Sequence, residues 1–286
     1  MAEVPEDEEI ASVVDGEPRP SDEGEAELES IEVAGTVPYE EESRWESTKA
    51  NAKTIGGALF LALFIRIVLF EAFQIEGPSM EPTLLDGDRV VVAKFLYGLF
   101  PLASSRFPLL GGIPLLGGDE ALVNWGMPEA GDVVIVHSPY DNQDIVKRVI
   151  GVGGDRISIR RSEVFRNGES IRVRELGDCE QGMTTESDLE DCVWYEERIG
   201  ERSWRTSQSR FAVPDDEAEL VVPEGHIYVL GDHRDHSNDS RNPRLGPVPA
   251  ERVKGRVLSI YWSNGPGQNW YDFSGIRSDR LFQGVR

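Results

Sequence analysis

One stretch of this chain limits what the rest can be. Ile55 to Phe73 reads IGGALFLALFIRIVLFEAF, nineteen residues in which only Arg66 and Glu71 are charged. As a helix rising ~1.5 Å per residue it would extend roughly 28 Å, close to the ~30 Å hydrocarbon core of a bilayer. The run predicts a transmembrane helix within residues 47–74. A helix buried in a soluble core is the alternative, and Arg66 is the residue that favours it. A mid-helix Arg costs roughly 3 kcal/mol on insertion scales, but its stem can carry the charge toward an interface and the large apolar neighbours offset the cost. A cleaved secretory signal fits poorly, because the preceding region is long and acidic and no A-x-A site follows.

Composition changes abruptly at this run. Residues 1–43 hold sixteen acidic side chains and one basic one, Arg19. Of the net charge of −23, this leaves −8 on the other 243 residues, ordinary for a folded domain. Residues 1–46 scatter their apolar side chains singly and in pairs, too few to offset the entropy of ordering, so they read as a disordered acidic tail. Such a tail either recruits a partner or only solvates the chain. A general nucleic-acid-binding role is excluded, since phosphate contacts need clustered positive charge. Arg44, Lys49 and Lys53 precede the apolar run, and the next basic residue after it is Arg89. That bias predicts a single-pass protein of the plasma membrane, with the tail in the cytoplasm and residues 75–286 outside.

Beyond the run the chain reads as mainly β. Short segments rich in Val, Ile and Tyr recur at Arg89–Ala93, Asp132–His137, Asp144–Ile150, Arg156–Ile159, His226–Leu230 and Arg256–Trp262. Gly-Asp and Pro-Glu-Gly turns separate them. Two stretches interrupt the pattern. Phe95–Trp125 is apolar and rich in Gly and Pro, so it reads as a loop that either packs on the β core or dips into a membrane interface. About residues 160–222 are highly charged and read as an inserted subdomain. It holds both cysteines of the chain, Cys179 and Cys192, which an extracytoplasmic location would allow to pair.

The chemistry-bearing residues lie outside the insertion. Ser79 sits in Gly77-Pro-Ser-Met-Glu-Pro-Thr-Leu84, too constrained by Pro78 and Pro82 to be a helix. A serine held on such a segment is a nucleophile only if a base takes its proton; without one it is a turn residue. Lys147 lies in Ile145-Val-Lys-Arg-Val-Ile150, where strand alternation puts it on one face with Ile145 and Val149. A lysine of ordinary pKa, ~10.4, is a cation and no base, but removal from water disfavours the charged form. A surface lysine on an edge strand is the alternative.

Taken in order, GPSMEPTL, GDRVVVAKF, GDVVIVHSPYDNQDIVKRVIGVGGD and GDHRDHSNDSR resemble the signature boxes of bacterial type I signal peptidases, membrane-anchored serine proteases of the Ser/Lys-dyad kind. The resemblance covers residues 55–160 and 225–262. It implies a β-domain of the signal-peptidase type. It implies Ser79 as nucleophile, Lys147 as general base, and Ser237 as the serine that hydrogen-bonds and orients the lysine. Asp239 and Arg241 match an ion pair holding the loop against the site, and Arg148, from the opposite strand face, is a candidate to join it. Met80, Leu84, Val90 and Val146 match positions lining small apolar pockets that accept residues such as Ala at the first and third positions before the cut. The implied partners are secreted preproteins and the lipid bilayer; no cofactor and no metal is implied.

Two departures stand out. Some relatives carry, at the position of Gly77, a serine whose hydroxyl helps form the oxyanion hole, and glycine offers no such donor. The other is the pair His233 and His236, where relatives often carry Asn or Asp. A zinc site there lacks a third ligand at motif spacing, and His236 as base competes with a lysine already in its family position. A self-cleaving repressor-type Ser/Lys protease and an inactive membrane-anchored β binding module are the competing functions.

Overall fold

The computed structural model describes residues 44–65, 69–99, 123–124, 126–140, 142–180, 191–265, 268 and 272–285. The acidic tail up to residue 43 and most of the Gly- and Pro-rich loop expected at 95–125 lie outside these. The chain divides into two units, Met1–Ala50 and Asn51–Arg286, and the β fold belongs to the second.

Helix α1 runs from Arg44 to Phe64. Ala, Leu and Lys, all good helix formers, recur along it, and no proline interrupts it. Its second half leaves Ile55, Leu59, Phe60, Leu61 and Phe64 exposed. Among the described residues no helix is long and apolar enough to cross a membrane. The helix expected to continue to residue 74 does not reach it, because Phe70–Gln74 forms strand β1 and pairs antiparallel with β2, Asp88–Ala93. The sequence FEAFQ alternates, and pairing lets Phe73 pack on the core while Glu71 meets Lys94 at 3.4 Å. Glu71 is thus a strand residue with a buried partner rather than a charge interrupting a helix.

The main sheet has seven strands, all antiparallel, in the order β1, β2, β16 (Val253–Ser263), β5 (Val133–His137), β6 (Asp144–Val152), β14 (His226–Leu230) and β15 (Val248–Pro249). Every residue of β5 is buried. Val134 and Val136 belong to an apolar cluster with Val149, Ile227 and Val229; Val133 and Ile135 belong to another with Met80, Leu84, Val90 and Val257. Burial on both faces explains why this strand reads as an unbroken apolar run. A small ladder joins β3 (Gly98–Leu99) to β4 (Val123–Asn124).

The charged region at 160–222 is itself β. A four-stranded sheet runs β13 (Glu217–Val221), β7 (Arg156–Arg160), β8 (Glu163–Arg166) and β9 (Glu169–Ser170). A three-stranded sheet runs β10 (Arg172–Asp178), β11 (Cys192–Ile199) and β12 (Arg202–Ser209). Cys179 and Cys192 form a disulfide with Cα atoms 5.3 Å apart, at the end of the β10–β11 pair.

Residues near the end of the chain return to the segment that follows β1. Arg280 binds the buried Asp88 carboxylate at 2.6 Å and the Thr83 carbonyl at 3.0 Å, and Arg277 binds the Asp86 carbonyl at 2.6 Å. The loop carrying Ser79 is therefore gripped from its far side.

Candidate active site

Ser79 leaves β1 in a tight turn closed by Glu81 N–H to Pro78 O at 3.0 Å and Leu84 N–H to Met80 O at 2.9 Å. The turn begins at Gly77, whose φ of +82° is a left-handed conformation that strains any other residue. Met80 and Leu84 point into the core, 1% and 0% exposed, while Ser79 stays partly accessible. Burying the residues that follow an accessible hydroxyl fixes that hydroxyl in place.

Lys147 lies on β6, 3% exposed, with Nζ 2.9 Å from Ser79 Oγ and 2.9 Å from the Val146 carbonyl. Its same-face neighbours Val149 and Ile145 pack in the apolar cluster that includes Val134. Ser79 and Lys147, 68 positions apart in sequence, are thus in hydrogen-bond contact.

The segment 231–241 lies alongside. His233 N–H donates to the Ser79 carbonyl at 3.2 Å. A side chain at Gly231 would place its Cβ 2.2 Å from Ser237 Oγ and 2.5 Å from Ser79 O, so only glycine lets the segment come this close. Asp239 is buried and accepts from Arg241 Nε at 2.9 Å, from Arg241 Nη2 at 2.8 Å and from Gly231 N–H at 3.0 Å. Burial pushes the Asp239 carboxyl up, but Arg241's hydrogen bonds and charge and the Gly231 N–H outweigh it and hold the group below the usual carboxylate range. Arg241 also reaches Asp215 at 2.7 Å.

Two expectations change. Arg148 does not join the Asp239–Arg241 pair. It is fully buried and binds Asp232 through Nε at 2.8 Å and Nη2 at 2.7 Å, with Nη1 on the Gly131 carbonyl at 2.9 Å. Its guanidinium lies 4.5 Å over the Trp204 ring of β12. Asp232 stands at the start of the segment, directly after β14, and is the nearer acid for a side chain on this strand face. Nor is the lysine the partner of Ser237, whose Oγ is buried close to Gly231 and whose hydroxyl is among the groups that hold the Asp239 carboxyl low.

Met80, Leu84, Val90 and Val146 do come together, in one apolar cluster. The first three are essentially without solvent access, so in this structure they are core beneath the site rather than the walls of an open pocket. The rings of His233 and His236 are 4.6 Å apart. His137 and His226 engage other partners, Asp144 at 2.9 Å and the Glu224 carbonyl at 3.1 Å.

Sequence reasoning missed Asp232, Thr83 and Arg234. Thr83 Oγ1 donates to Asp232 and accepts from Arg148 at 3.2 Å, tying the Ser79 turn to the buried pair. In the sequence Gly231-Asp232 reads as a turn, and Asp232 otherwise only as a neighbour of the His233 and His236 pair. The signal that could have exposed it was the arginine directly after Lys147, which cannot face a core without an acid.

A buried lysine on a serine oxygen, with a clamped turn on one side and a glycine-tight loop on the other, is an arrangement for activating a hydroxyl. The family model for signal peptidase, peptidase S26, matches residues 48–262. The chain is 35% identical over 224 residues to a signal peptidase I from Pseudomonas fluorescens, covering 74% of this chain and 71% of that one. It is 32% identical over 238 residues to one from Pseudomonas aeruginosa, covering 78% and 76%. A signal peptidase I from Rickettsia akari matches at 32% identity over 223 residues, covering 74% and 78%. The chain belongs to the signal peptidase family, peptidase S26, and is a serine peptidase of the signal peptidase I kind.

Proposed function

We propose that this protein is a Ser/Lys-dyad endopeptidase that removes N-terminal signal peptides from secreted preproteins, cutting after small residues at Ala-x-Ala-type sites. The observation that carries the reading is the 2.9 Å separation of Lys147 Nζ and Ser79 Oγ, with the amine almost shut off from solvent.

Withdrawal from water disfavours the ammonium, so Lys147 serves as an uncharged acceptor. Ser79 Oγ attacks the scissile carbonyl carbon while its proton passes to Nζ. The tetrahedral oxyanion is held by the Ser79 N–H, in line with the absence of a hydroxyl at Gly77. As the C–N bond breaks, the proton on Nζ goes to the leaving amine, which becomes the new N-terminus of the mature protein. Water then repeats the sequence on the acyl-enzyme, with Lys147 again taking the proton.

The exposed apolar residues of α1, Ile55 through Phe64, favour attachment to a membrane, with the acidic N-terminal region in the cytoplasm and the β domain outside. A preprotein held in the same bilayer by its own apolar segment then meets the site at raised effective concentration.

Processing of a secreted preprotein, followed by its gel mobility, tests the dyad. Ser79→Ala and Lys147→Ala should each lose roughly 10³-fold or more in rate, and His236→Ala should process normally. Normal processing by Lys147→Ala together with loss in His236→Ala would assign the base to the histidine instead.

A further inference from the structure

The three-stranded sheet of the charged region reaches the active-site loop through one fully buried carboxylate. Glu197, on β11, is 0% exposed and forms an ion pair with Arg234, itself 4% exposed and in the middle of the 231–241 segment. Arg234 uses its Nε to hold the Gly231 carbonyl at 3.2 Å, and its own carbonyl accepts from Arg241 at 2.6 Å. Gly231 is the residue wedged against both Ser237 Oγ and the Ser79 carbonyl. The guanidinium of Arg234 therefore braces the loop internally, at the point where it touches the nucleophile.

A guanidinium so placed has almost no water to stabilise it. It stays folded inward only if an anion meets it there, and the anion comes from the inserted sheet. The surrounding backbone keeps the two segments in register. Ser207 N–H donates to the Asp232 carbonyl at 2.9 Å, Arg234 N–H donates to the Ser207 carbonyl at 2.9 Å, and Ser207 Oγ donates to the Glu81 carbonyl at 3.2 Å. Ser209 N–H donates to Asp235 at 2.5 Å. The inserted sheet thus touches the Ser79 turn and the 231–241 loop together.

We infer that Glu197 is a positioning residue for catalysis: by neutralising Arg234 inside the protein it sets the distance between the 231–241 loop and the Ser79 carbonyl, so that part of the active-site geometry is supplied by the inserted sheet. The inference rests on the Ser/Lys reading. Glu197 touches neither substrate nor reacting atoms; it acts through Arg234 and Gly231.

The test uses the full chain in vesicles, with steady-state cleavage of a preprotein. Glu197→Gln is expected to lower kcat roughly 10- to 100-fold, the scale of a small misplacement of reacting groups, with KM within about twofold. Loss of the buried anion also destabilises the fold, so a second variant separates the two effects. Glu197→Gln with Arg234→Gln removes both charges and should melt close to the parent. It still lacks the Arg234 brace, and so its kcat should remain low. The inference is overturned if Glu197→Gln keeps kcat within twofold, if the loss appears in KM alone, or if the double variant regains the parent's kcat. Ser79→Ala and Lys147→Ala run in parallel: if they process normally the dyad reading fails, whereas if they are inactive and Glu197→Gln is not impaired, only this inference fails.

Discussion

Changing Asp239 to Asn would leave the Arg241 guanidinium with only the half-exposed Asp215 carboxylate, and loss of one member of a buried pair costs up to about 3–5 kcal/mol. The cost depends on pH. Asp239 has its folded pKa held low, so its contribution is fully present above the unfolded value of ~3.9 and is lost as pH falls through the folded value. The stability difference between the parent and Asp239→Asn should therefore be largest near neutrality and shrink below about pH 4; denaturant midpoints measured across that range check it. At this scale the sequence was informative where a residue's neighbours in the chain settle its surroundings. Ser79 between two prolines and Lys147 on an apolar strand are such cases. It was uninformative for Arg148, Asp232, Glu197 and Arg234. Each is a charge whose burial is made tolerable by a partner many residues away, and local pattern does not say which acid meets which base.

At the scale of elements, the disulfide ties the start of β11 to the end of β10, and β11 carries Glu197. Replacing Cys179 and Cys192 by serine should cost on the order of 3 kcal/mol for a closed loop of this length, read as a lower denaturation midpoint that a reducing agent no longer changes. The expected strands at 89–93, 132–137, 144–150, 156–159, 226–230 and 256–262 all correspond to observed ones, because β-branched runs bounded by Gly-Asp turns are a local signal. Strand β1 was hidden for the opposite reason. Its five residues continue an apolar run that suits a helix equally well, and only pairing with β2, including the Glu71–Lys94 contact, decides between them. The strands at 160–222 escaped notice because their outward residues are charged and their apolar faces short.

For the molecule as a whole, the N-terminal region and the β domain are expected to divide the work. A chain lacking residues 1–65 keeps the strands that carry Ser79 and Lys147. It should cleave a short soluble peptide at close to the parent's rate, yet process a vesicle-bound preprotein roughly 10²- to 10⁴-fold more slowly, the usual worth of a lost tether. Parallel assays on the two substrates measure the ratio, and equal loss on both would show that the N-terminal region supports the fold rather than the encounter.

The grip of Arg277 and Arg280 on the turn after Ser79 has a consequence for the order of events during synthesis. Ser79 is made early, Lys147 68 residues later, and the arginines that steady the loop, Arg277 and Arg280, about 130 residues after that. A nascent chain thus emerges with its serine unsupported. The segment after Ser79 reaches its final form only once residues 277–280 are in place.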